Sequence, residues 1–389
     1  MNHLEDFIPY GRQRVSEEDI EVVVQILRSP YLTQGPKVPE FERTVAAKVG
    51  ASHGVAVNSA TSALHIACMA LGLGPKDRLW TSPITFVASA NCARYCGAEV
   101  DFVDIDPLTG LMCVNALEEK LKKSIKDNSL PKVVVPVHLC GTSCDMKAIA
   151  SLAEKYGFHV LEDASHAIGG SYDGQVVGNC FYSTITVFSF HPVKIITTGE
   201  GGIATTNNAI IAQKMEELRS HGITKDASRF EYPAPGPWSY EQQDLGFNYR
   251  MTEMQAALGL NQILRLDDIV NERNALFQKY QKKLEDAPIE FLQIPINVKS
   301  ALHLAVVRLR DNRQGHHRST FEYMRNQNIG VQVHYTPVHL QPYYRRLGFT
   351  HGDFPEAEKY ATNALSIPLY PGLTEEEQNR VCEALKIIL

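Results

Sequence analysis

A lysine in a glycine-rich loop with few charges is the residue of this sequence best suited to covalent chemistry. Lys194 follows the β-type run 185–190 and lies in the segment 189–202, which is rich in β-branched residues and glycine. Poor solvation disfavours an ammonium ion, so the pKa of such a lysine falls and its free amine can attack a carbonyl. Lys194 is therefore a candidate Schiff-base lysine. The alternative, an ordinary surface lysine, has to be decided by the surrounding residues.

A carboxylate at the end of a buried strand is the second candidate. Asp163 follows the apolar pair 160–161, and parallel sheets bind their ligands at the carboxyl ends of their strands. If the cofactor is pyridoxal phosphate, a partly desolvated carboxylate there would keep the ring nitrogen protonated. His166 could orient Asp163 or contact the cofactor. A strand-end cap at position 163 and a structural histidine at 166 are the alternatives.

A helix start rich in hydroxyl groups is the third candidate. The run 58–63, which contains Ala60 and Thr61, follows a short strand and opens a helix, where free N–H groups attract phosphate. Ser189 could add a hydroxyl group, and the ring of Phe86 could stack on a flat cofactor. Taken singly, a helix N-cap and a core phenylalanine also explain these residues.

Alternating helices and strands must position these side chains. Capping signals and apolar spacing predict a helix that starts at Ser16, a helix over 59–71 and a helix over 146–156 between Asp145 and Gly157. Short β-rich runs predict strands at 54–57, 100–105, 133–137, 160–161 and 185–190. Strands that are apolar on both faces and are joined by helices indicate an α/β fold with a mostly parallel sheet between helices.

The last third of the chain differs in pattern. A proline-rich loop over 232–240 precedes a long helical pattern that begins near Thr252 and continues through Leu284. Shorter helix and strand patterns follow it. We therefore predict two domains, a large domain over 1–260 and a smaller C-terminal α/β domain over 261–389.

Composition excludes several classes of protein. The 389 residues are 44% hydrophobic with a net charge of -6, which is too acidic for general nucleic-acid binding. Glu5 and Asp6 interrupt any apolar N-terminal stretch, and no run approaches the roughly 18 apolar residues of a membrane span. We expect a cytoplasmic protein that binds neither nucleic acid nor membrane.

Eight cysteines in 389 residues are too few for a fold that depends on disulfide bonds. The pairs Cys92 with Cys96 and Cys140 with Cys144 have a spacing that could hold a metal, but neither has the repeated close pairs of a structural zinc site. We interpret them as packing thiols and predict no metal site.

Five motifs in a fixed order carry a resemblance that covers nearly the whole chain. They lie at 32–36, 58–64, 162–167, 189–202 and 245–252. With them the sequence resembles the sugar aminotransferases of the DegT/DnrJ/EryC1/StrS family. The resemblance implies a pyridoxal-phosphate enzyme of fold type I, the aspartate aminotransferase type.

The family pattern also implies roles for single residues. Lys194 would hold the cofactor as an imine, Asp163 would pair with the pyridinium and His166 would contact the cofactor. The remaining cofactor contacts would come from Ala60, Thr61 and Ser189 at the phosphate, from Phe86 stacked on the ring, and from Asn248. Because Asn248 would reach the phosphate of the neighbouring subunit's cofactor, a homodimer is the expected unit.

Three more runs, at 81–91, 219–223 and 331–337, resemble the branch of the family that acts in pseudaminic acid synthesis. That branch aminates C4 of UDP-2-acetamido-2,6-dideoxy-β-L-arabino-hex-4-ulose and uses L-glutamate as the donor. By analogy Thr33, Gln34, His334 and Tyr335 would lie near the nucleotide sugar, and Arg250 near the dimer interface.

The sequence is also compatible with two other functions. The chain could aminate another UDP- or dTDP-linked 4-keto sugar, or be a regulatory protein that kept the fold without turnover. Dehydration of a sugar at C3 is disfavoured because related proteins with that activity have a histidine in place of the lysine. A nicotinamide dehydrogenase is disfavoured because no GxGxxG motif follows an early strand.

Overall fold

The computed structural model describes residues 6–311 and 313–389. Its α-helices are α1 Glu17–Leu27, α2 Lys37–Val49, α3 Ala60–Ala70, α4 Ala88–Tyr95, α5 Val114–Lys126, α6 Met146–Tyr156, α7 Ala209–Arg219, α8 Glu253–Ile263, α9 Leu266–Lys283, α10 His316–Asn326, α11 Pro342–Arg345, α12 Pro355–Ala361 and α13 Glu375–Ile388. Its strands are β1 His53–Val57, β2 Arg78–Thr81, β3 Glu99–Phe102, β4 Val133–Val135, β5 His159–Asp163, β6 Ser171–Tyr172, β7 Gln175–Val176, β8 Ile185–Ser189, β9 Gly202–Thr206, β10 Ile223–Thr224, β11 Glu241–Gln242, β12 Ile289–Phe291, β13 Val298–Lys299, β14 Ala305–Leu309 and β15 Ala364–Ile367.

A seven-stranded mixed sheet organises the molecule. Its strand order is β1-β9-β8-β5-β4-β2-β3, and the five strands from β8 to β3 run parallel to one another. The predicted α/β fold with a mostly parallel sheet is confirmed. The sheet departs from the prediction at β9, which pairs antiparallel with both β1 and β8.

The predicted ends of helices α1 and α6 are confirmed, and the capping groups predicted for them are in place. The Ser16 hydroxyl and the Asp19 carboxylate form a capping box at α1, and the Asp145 carboxylate accepts the N–H of Ala148 at the start of α6. Gly157 ends α6 in the left-handed conformation with φ 78°.

The long helical pattern from Thr252 to Leu284 is two helices. Thr252 caps α8, and the helix is interrupted at residues 264–265 before α9 begins. Asp267 and Asp268 in the first turn of α9 favour a new N-terminus there through the helix dipole. The predicted boundary at residue 260 falls inside α8, which packs on α1 and α2; the division into two domains stays a prediction.

A second core lies around the three-stranded antiparallel sheet β12-β14-β15. Tyr280 from α9, Val307 from β14 and Val381 from α13 are all fully buried there. Ile8 joins this core from the other end of the chain, and its N–H donates to Asn328 O at 3.0 Å. Ile8 therefore packs on C-terminal elements, although it precedes the rest of 1–260 in the chain.

Across residues 6–311 and 313–389, no helix is long and apolar enough to cross a bilayer. Over the same ranges, no group of three or more His, Cys, Asp or Glu side chains is arranged to hold a metal ion. All eight cysteines are free thiols, and Cys92, Cys140 and Cys144 are buried.

Candidate active site

A cavity of about 430 Å³ opens at the carboxyl ends of the parallel strands. Nine of the side chains or backbone groups predicted from the sequence line it together, namely Ala60, Thr61, Phe86, Asp163, His166, Ser189, Lys194, His334 and Tyr335. They come from segments far apart in the chain, so the fold brings together the separate signals that the sequence contained.

Lys194 lies in the hairpin that joins β8 to the antiparallel strand β9. The hairpin is closed by backbone bonds from Phe190 N to Gly201 O at 2.9 Å and from Thr198 N to Phe190 O at 3.0 Å. Burial in the cavity lowers the pKa of Lys194 to about 8, while the negative charge of Asp163 acts in the opposite direction. About a tenth of the amine is therefore unprotonated and nucleophilic at pH 7, and about half at pH 8.

Asp163 ends β5 and is buried, 5% exposed. Its Oδ1 accepts the backbone N–H of Ser165 at 3.1 Å and the Ser165 hydroxyl at 2.6 Å, and its Oδ2 accepts the Ser89 hydroxyl at 2.5 Å. These donors stabilise the ionised form of the carboxylate.

The N-terminus of α3 forms one wall of the cavity. The Ser59 hydroxyl caps this helix by accepting the N–H of Ser62 at 3.1 Å. In the part of the chain that the structure describes, the N–H groups of Ala60 and Thr61 have no protein acceptor. A β-carbon on Gly202 would lie 2.5 Å from Ala60 N, so only glycine lets β9 approach the helix this closely.

These residues fit pyridoxal phosphate. Two free amides at the positive end of a helix suit its phosphate, a carboxylate with ordered donors suits its ring nitrogen, and a lysine of lowered pKa suits its aldehyde. The ring of Phe86 lines the cavity and is 59% exposed, so one face is available for stacking. The individual contacts of these residues with the cofactor stay predictions.

Neutral histidines and a tyrosine form the opposite wall. Burial lowers the pKa of His166 well below its usual value and that of His334 to about 3, with Lys194 adding to both effects. The backbone N–H of Cys140 donates to Nδ1 of His166 at 3.3 Å. The proton of the neutral ring is therefore on Nε2, which donates to the Tyr335 hydroxyl at 3.3 Å.

Two of the lining residues that sequence reasoning did not assign to the site come from segments without any recognised motif. Tyr10 enters the cavity from the N-terminal segment, with its ring centroid 5.3 Å from that of His334. The ring centroid of His303 lies 4.4 Å from that of His166 with the two rings tilted by 51°, and Nδ1 of His303 is buried without a hydrogen-bond partner in the described chain. Neither has a local motif, because its contact with the site depends on how distant segments pack.

Three predicted residues are not among those that line the cavity. Thr33, Gln34 and Asn248 are exposed on the surface of the chain. Glu253, which sequence reasoning did not single out, fixes the segment around Gln34: its carboxylate accepts the N–H of Lys37 at 2.8 Å and of Val38 at 3.1 Å. The contacts of Thr33, Gln34 and Asn248 with substrate or cofactor stay predictions.

Comparison with known proteins agrees with this geometry. The model of the DegT/DnrJ/EryC1/StrS aminotransferase family matches residues 13–386. The spore coat polysaccharide biosynthesis protein SpsC of Bacillus subtilis is 39% identical over 98% of this chain and 97% of its own length.

Solved structures give the same result. Spr1654 from Streptococcus pneumoniae in its PMP-form superposes with a TM-score of 0.90 at 30% identity over 98% of both chains, and its PLP-form with a TM-score of 0.89. Helicobacter pylori PseC, an aminotransferase involved in the biosynthesis of pseudoaminic acid, superposes with a TM-score of 0.88 at 28% identity over 98% of this chain and 99% of its own. The chain therefore belongs to the DegT/DnrJ/EryC1/StrS aminotransferase family and is a pyridoxal-phosphate-dependent sugar aminotransferase.

Proposed function

We propose that this enzyme transfers the amino group of L-glutamate to C4 of UDP-2-acetamido-2,6-dideoxy-β-L-arabino-hex-4-ulose. The products are 2-oxoglutarate and UDP-4-amino-4,6-dideoxy-N-acetyl-β-L-altrosamine, a step of pseudaminic acid biosynthesis. The observation that carries the chemistry is the shared cavity of Lys194, whose pKa is about 8, and the hydrogen-bonded carboxylate of Asp163. The likeness to Helicobacter pylori PseC and the three runs of sequence described above support the choice of sugar.

The residues of the cavity have separate roles in the proposed reaction. Pyridoxal phosphate, when bound, stores the amino group between the two substrates and draws electrons from the reacting carbon. Lys194 Nζ would hold the cofactor until the amine of glutamate takes its place, and the freed lysine amine would then take a proton from the α-carbon of glutamate and later deliver a proton to C4 of the sugar. Asp163, as a carboxylate, would accept a hydrogen bond from the ring nitrogen and so keep that nitrogen protonated. The amides of Ala60 and Thr61 and the Ser189 hydroxyl bind the phosphate.

The uncharged side chains of His166, His334 and Tyr335 orient substrate oxygens without competing for the proton that Lys194 moves. His166 donates from Nε2, so the Tyr335 hydroxyl is free to donate its own proton into the cavity. His334, whose Nδ1 is 2.8 Å from the Ser366 hydroxyl, is held in one orientation beside it. We propose that His334 and Tyr335 contact the sugar and that both stay uncharged in the working pH range.

A cytoplasmic homodimer completes the proposal. Asn248 is exposed outside the cavity of its own chain, which suits a contact with the phosphate of the cofactor in the partner subunit. Tyr232, Trp238 and Leu245 on the preceding loop are 73%, 76% and 72% exposed, and a cluster of exposed apolar side chains favours burial against another protein surface. Thr33 and Gln34 would contact the nucleotide sugar.

The relative SpsC favours a second candidate sugar. It is more similar in sequence than PseC, and it belongs to spore coat polysaccharide biosynthesis, so amination of another UDP- or dTDP-linked 4-keto sugar is the alternative. Turnover on a panel of UDP- and dTDP-linked 4-keto sugars, with C4 stereochemistry determined by NMR, separates the two. Preference for dTDP-linked hexoses would contradict the pseudaminic route and leave sugar amination standing.

A protein that kept the fold without turnover is tested by absorbance. The visible band of the cofactor-loaded enzyme should bleach when glutamate is added and return with the keto sugar. Borohydride reduction of the loaded enzyme should attach the cofactor to the peptide that contains Lys194. Attachment to another lysine would contradict the proposed role of Lys194.

A further inference from the structure

The carboxylate of Asp163 has almost all of its hydrogen-bonding capacity filled by the protein. A carboxylate offers about four lone-pair positions. Oδ1 uses two of them for the N–H and hydroxyl of Ser165, and Oδ2 uses one for the hydroxyl of Ser89. One position remains, on Oδ2, and Asp163 itself lines the cavity.

The Ser89 hydroxyl has only one proton, and the geometry shows where it goes. The distance to Asp163 Oδ2 is 2.5 Å, in the range of a charge-assisted O–H···O⁻ bond, whereas the other acceptor, Phe86 O, is 3.3 Å away. Ser89 is fully buried and is not among the residues that line the cavity, so its effect on the ring nitrogen of the cofactor passes through Asp163.

Thr85 extends this arrangement by one residue. Its hydroxyl is 2.7 Å from the Ser89 hydroxyl. Because the Ser89 proton is committed to Asp163, Thr85 must donate to Ser89 Oγ. The result is a directional chain from Thr85 to Ser89 to Asp163 that ends on a negative charge, and successive hydrogen bonds of this kind strengthen one another.

We propose that Ser89 and Ser165 are positioning residues that keep Asp163 ionised and leave a single lone pair of Oδ2 for the ring nitrogen of the cofactor, with Thr85 fixing the direction of the Ser89 donor. Donors to a carboxylate stabilise its charged form. They therefore hold the shared proton on the ring nitrogen rather than on Asp163. This inference rests on the cofactor and not on the identity of the sugar.

The test uses enzyme loaded with pyridoxal phosphate that carries ¹⁵N in the ring. The ¹⁵N resonance of the wild type should be that of a protonated ring. In Ser89→Ala and Ser165→Ala it should move toward the neutral ring, and further in the double variant, because the proton shifts to Asp163. The glutamate half-reaction should slow because less of the ring stays protonated, while cofactor affinity changes less than about threefold because the phosphate anchor is intact.

Matched variants separate positioning from packing. Ser143→Ala removes an equally buried hydroxyl that donates to the backbone oxygen of Cys144 at 3.0 Å, and Thr81→Val is the control for Thr85→Val because Thr81 donates to Val135 O at 2.9 Å. Neither control should move the ¹⁵N resonance, and Ser165→Thr, which keeps the hydroxyl, should restore it.

Ser165 is half-buried, so its variants remain informative if Ser89→Ala does not fold. An unchanged ¹⁵N resonance in the double variant, or in Ser165→Ala if that is the only folded variant, would overturn the proposal. An equal shift in Ser143→Ala would overturn it as well. Both readouts use glutamate or no substrate, so failure of the sugar assignment would leave them unaffected.

Discussion

Gly35 lies directly against the carboxylate of Glu253. A β-carbon at position 35 would be 2.5 Å from Glu253 Oε2 and 2.7 Å from Tyr31 Cβ, and the backbone N–H of Glu253 donates to Leu32 O at 3.0 Å. Glu253 is itself buried, 1% exposed. The turn that carries Thr33 and Gln34 is therefore held in place by the helix that follows the segment containing Asn248.

Gly35→Ala should consequently displace this turn. Overpacking of this kind costs about 1–3 kcal/mol of unfolding free energy. If Thr33 and Gln34 contact the sugar nucleotide, KM for the sugar should rise at least about 10-fold, which is 1.4 kcal/mol of lost binding. The glutamate half-reaction should be unchanged. Steady-state and single-half-reaction kinetics with a thermal unfolding curve measure all three.

Gly74→Ala is the control for that variant, because no atom lies within 4 Å of a β-carbon at position 74. A Gly35→Ala enzyme that loses stability but keeps its KM for the sugar would show that the turn does not bind the nucleotide sugar.

The reactivity of Lys194 in cofactor-free protein should titrate near pH 8, because burial lowers its pKa to about 8. Competitive acetylation followed by mass spectrometry of the Lys194 peptide measures this, with N-acetyl-lysine amide as the internal reference. Between pH 7 and 9 the labelling rate should rise about 10-fold and then level off. A lysine with the ordinary pKa of about 10.4 would rise about 100-fold over the same interval and continue to rise. That second profile would contradict the desolvated site.

The same pKa makes a prediction for stability. The folded-state pKa of Lys194 lies below the unfolded value, so the unfolded chain binds more protons between about pH 8 and 10.4, and stability rises with pH in that window. At pH 7 the full cost of burying the ammonium is present. Lys194→Met without cofactor should therefore be more stable than the wild type at pH 7, by about 1–3 kcal/mol.

This advantage should shrink as the pH rises from about 8 to 10. Denaturant unfolding of both proteins at pH 7 and 10 checks it, since other titrating groups cancel in the difference. A constant difference at the two pH values would mean that Lys194 is well solvated. Lys194→Ala should fold as well, dimerise and show no turnover.

Asp163→Asn should keep the cofactor and lose most of the rate of both half-reactions. An amide cannot hold the proton of the ring nitrogen as an ionised carboxylate does, and it cannot accept from Ser89 and Ser165 with the strength of a charge. We expect a loss of at least about 100-fold, within the range assigned to positioned proton-holding groups. Rapid-mixing absorbance with glutamate measures the first half-reaction.

The control for Asp163→Asn is Asp101→Asn, which alters a half-buried pair with Lys120 at 2.7 Å among residues that do not line the cavity. That variant should retain its full rate. If Asp163→Asn lowered only the affinity for the cofactor and left the rate unchanged, Asp163 would contribute to cofactor binding and not to the reaction.

Much of the cofactor site could be predicted from the sequence because its parts are local. Thr61 opens a helix after a strand, Asp163 ends a strand, and Lys194 follows one, and parallel strands deliver such positions to one edge of a sheet. Each of these signals extends over fewer than about fifteen residues.

The features that sequence reasoning missed depend on packing between distant segments. Tyr10 reaches the cavity because its backbone oxygen accepts the N–H of Leu369 at 3.0 Å, a contact that no local pattern encodes. The antiparallel direction of β9 is set by the hairpin around Lys194, whereas its buried run Gly202–Thr206 would suit a strand of either direction. The break before α9 was hidden by continuous helical periodicity.

The close approach of Gly202 to Ala60 has a consequence for motion. Because the strand that leaves the lysine hairpin touches the first turn of α3, neither can shift without the other. The sheet therefore resists fluctuations that would separate the Lys194 amine from the N–H groups of Ala60 and Thr61. We expect this part of the cavity to keep its shape when a small-molecule inhibitor binds. We therefore expect changes that admit new sugars to occur around His334 and Tyr335 rather than at this contact.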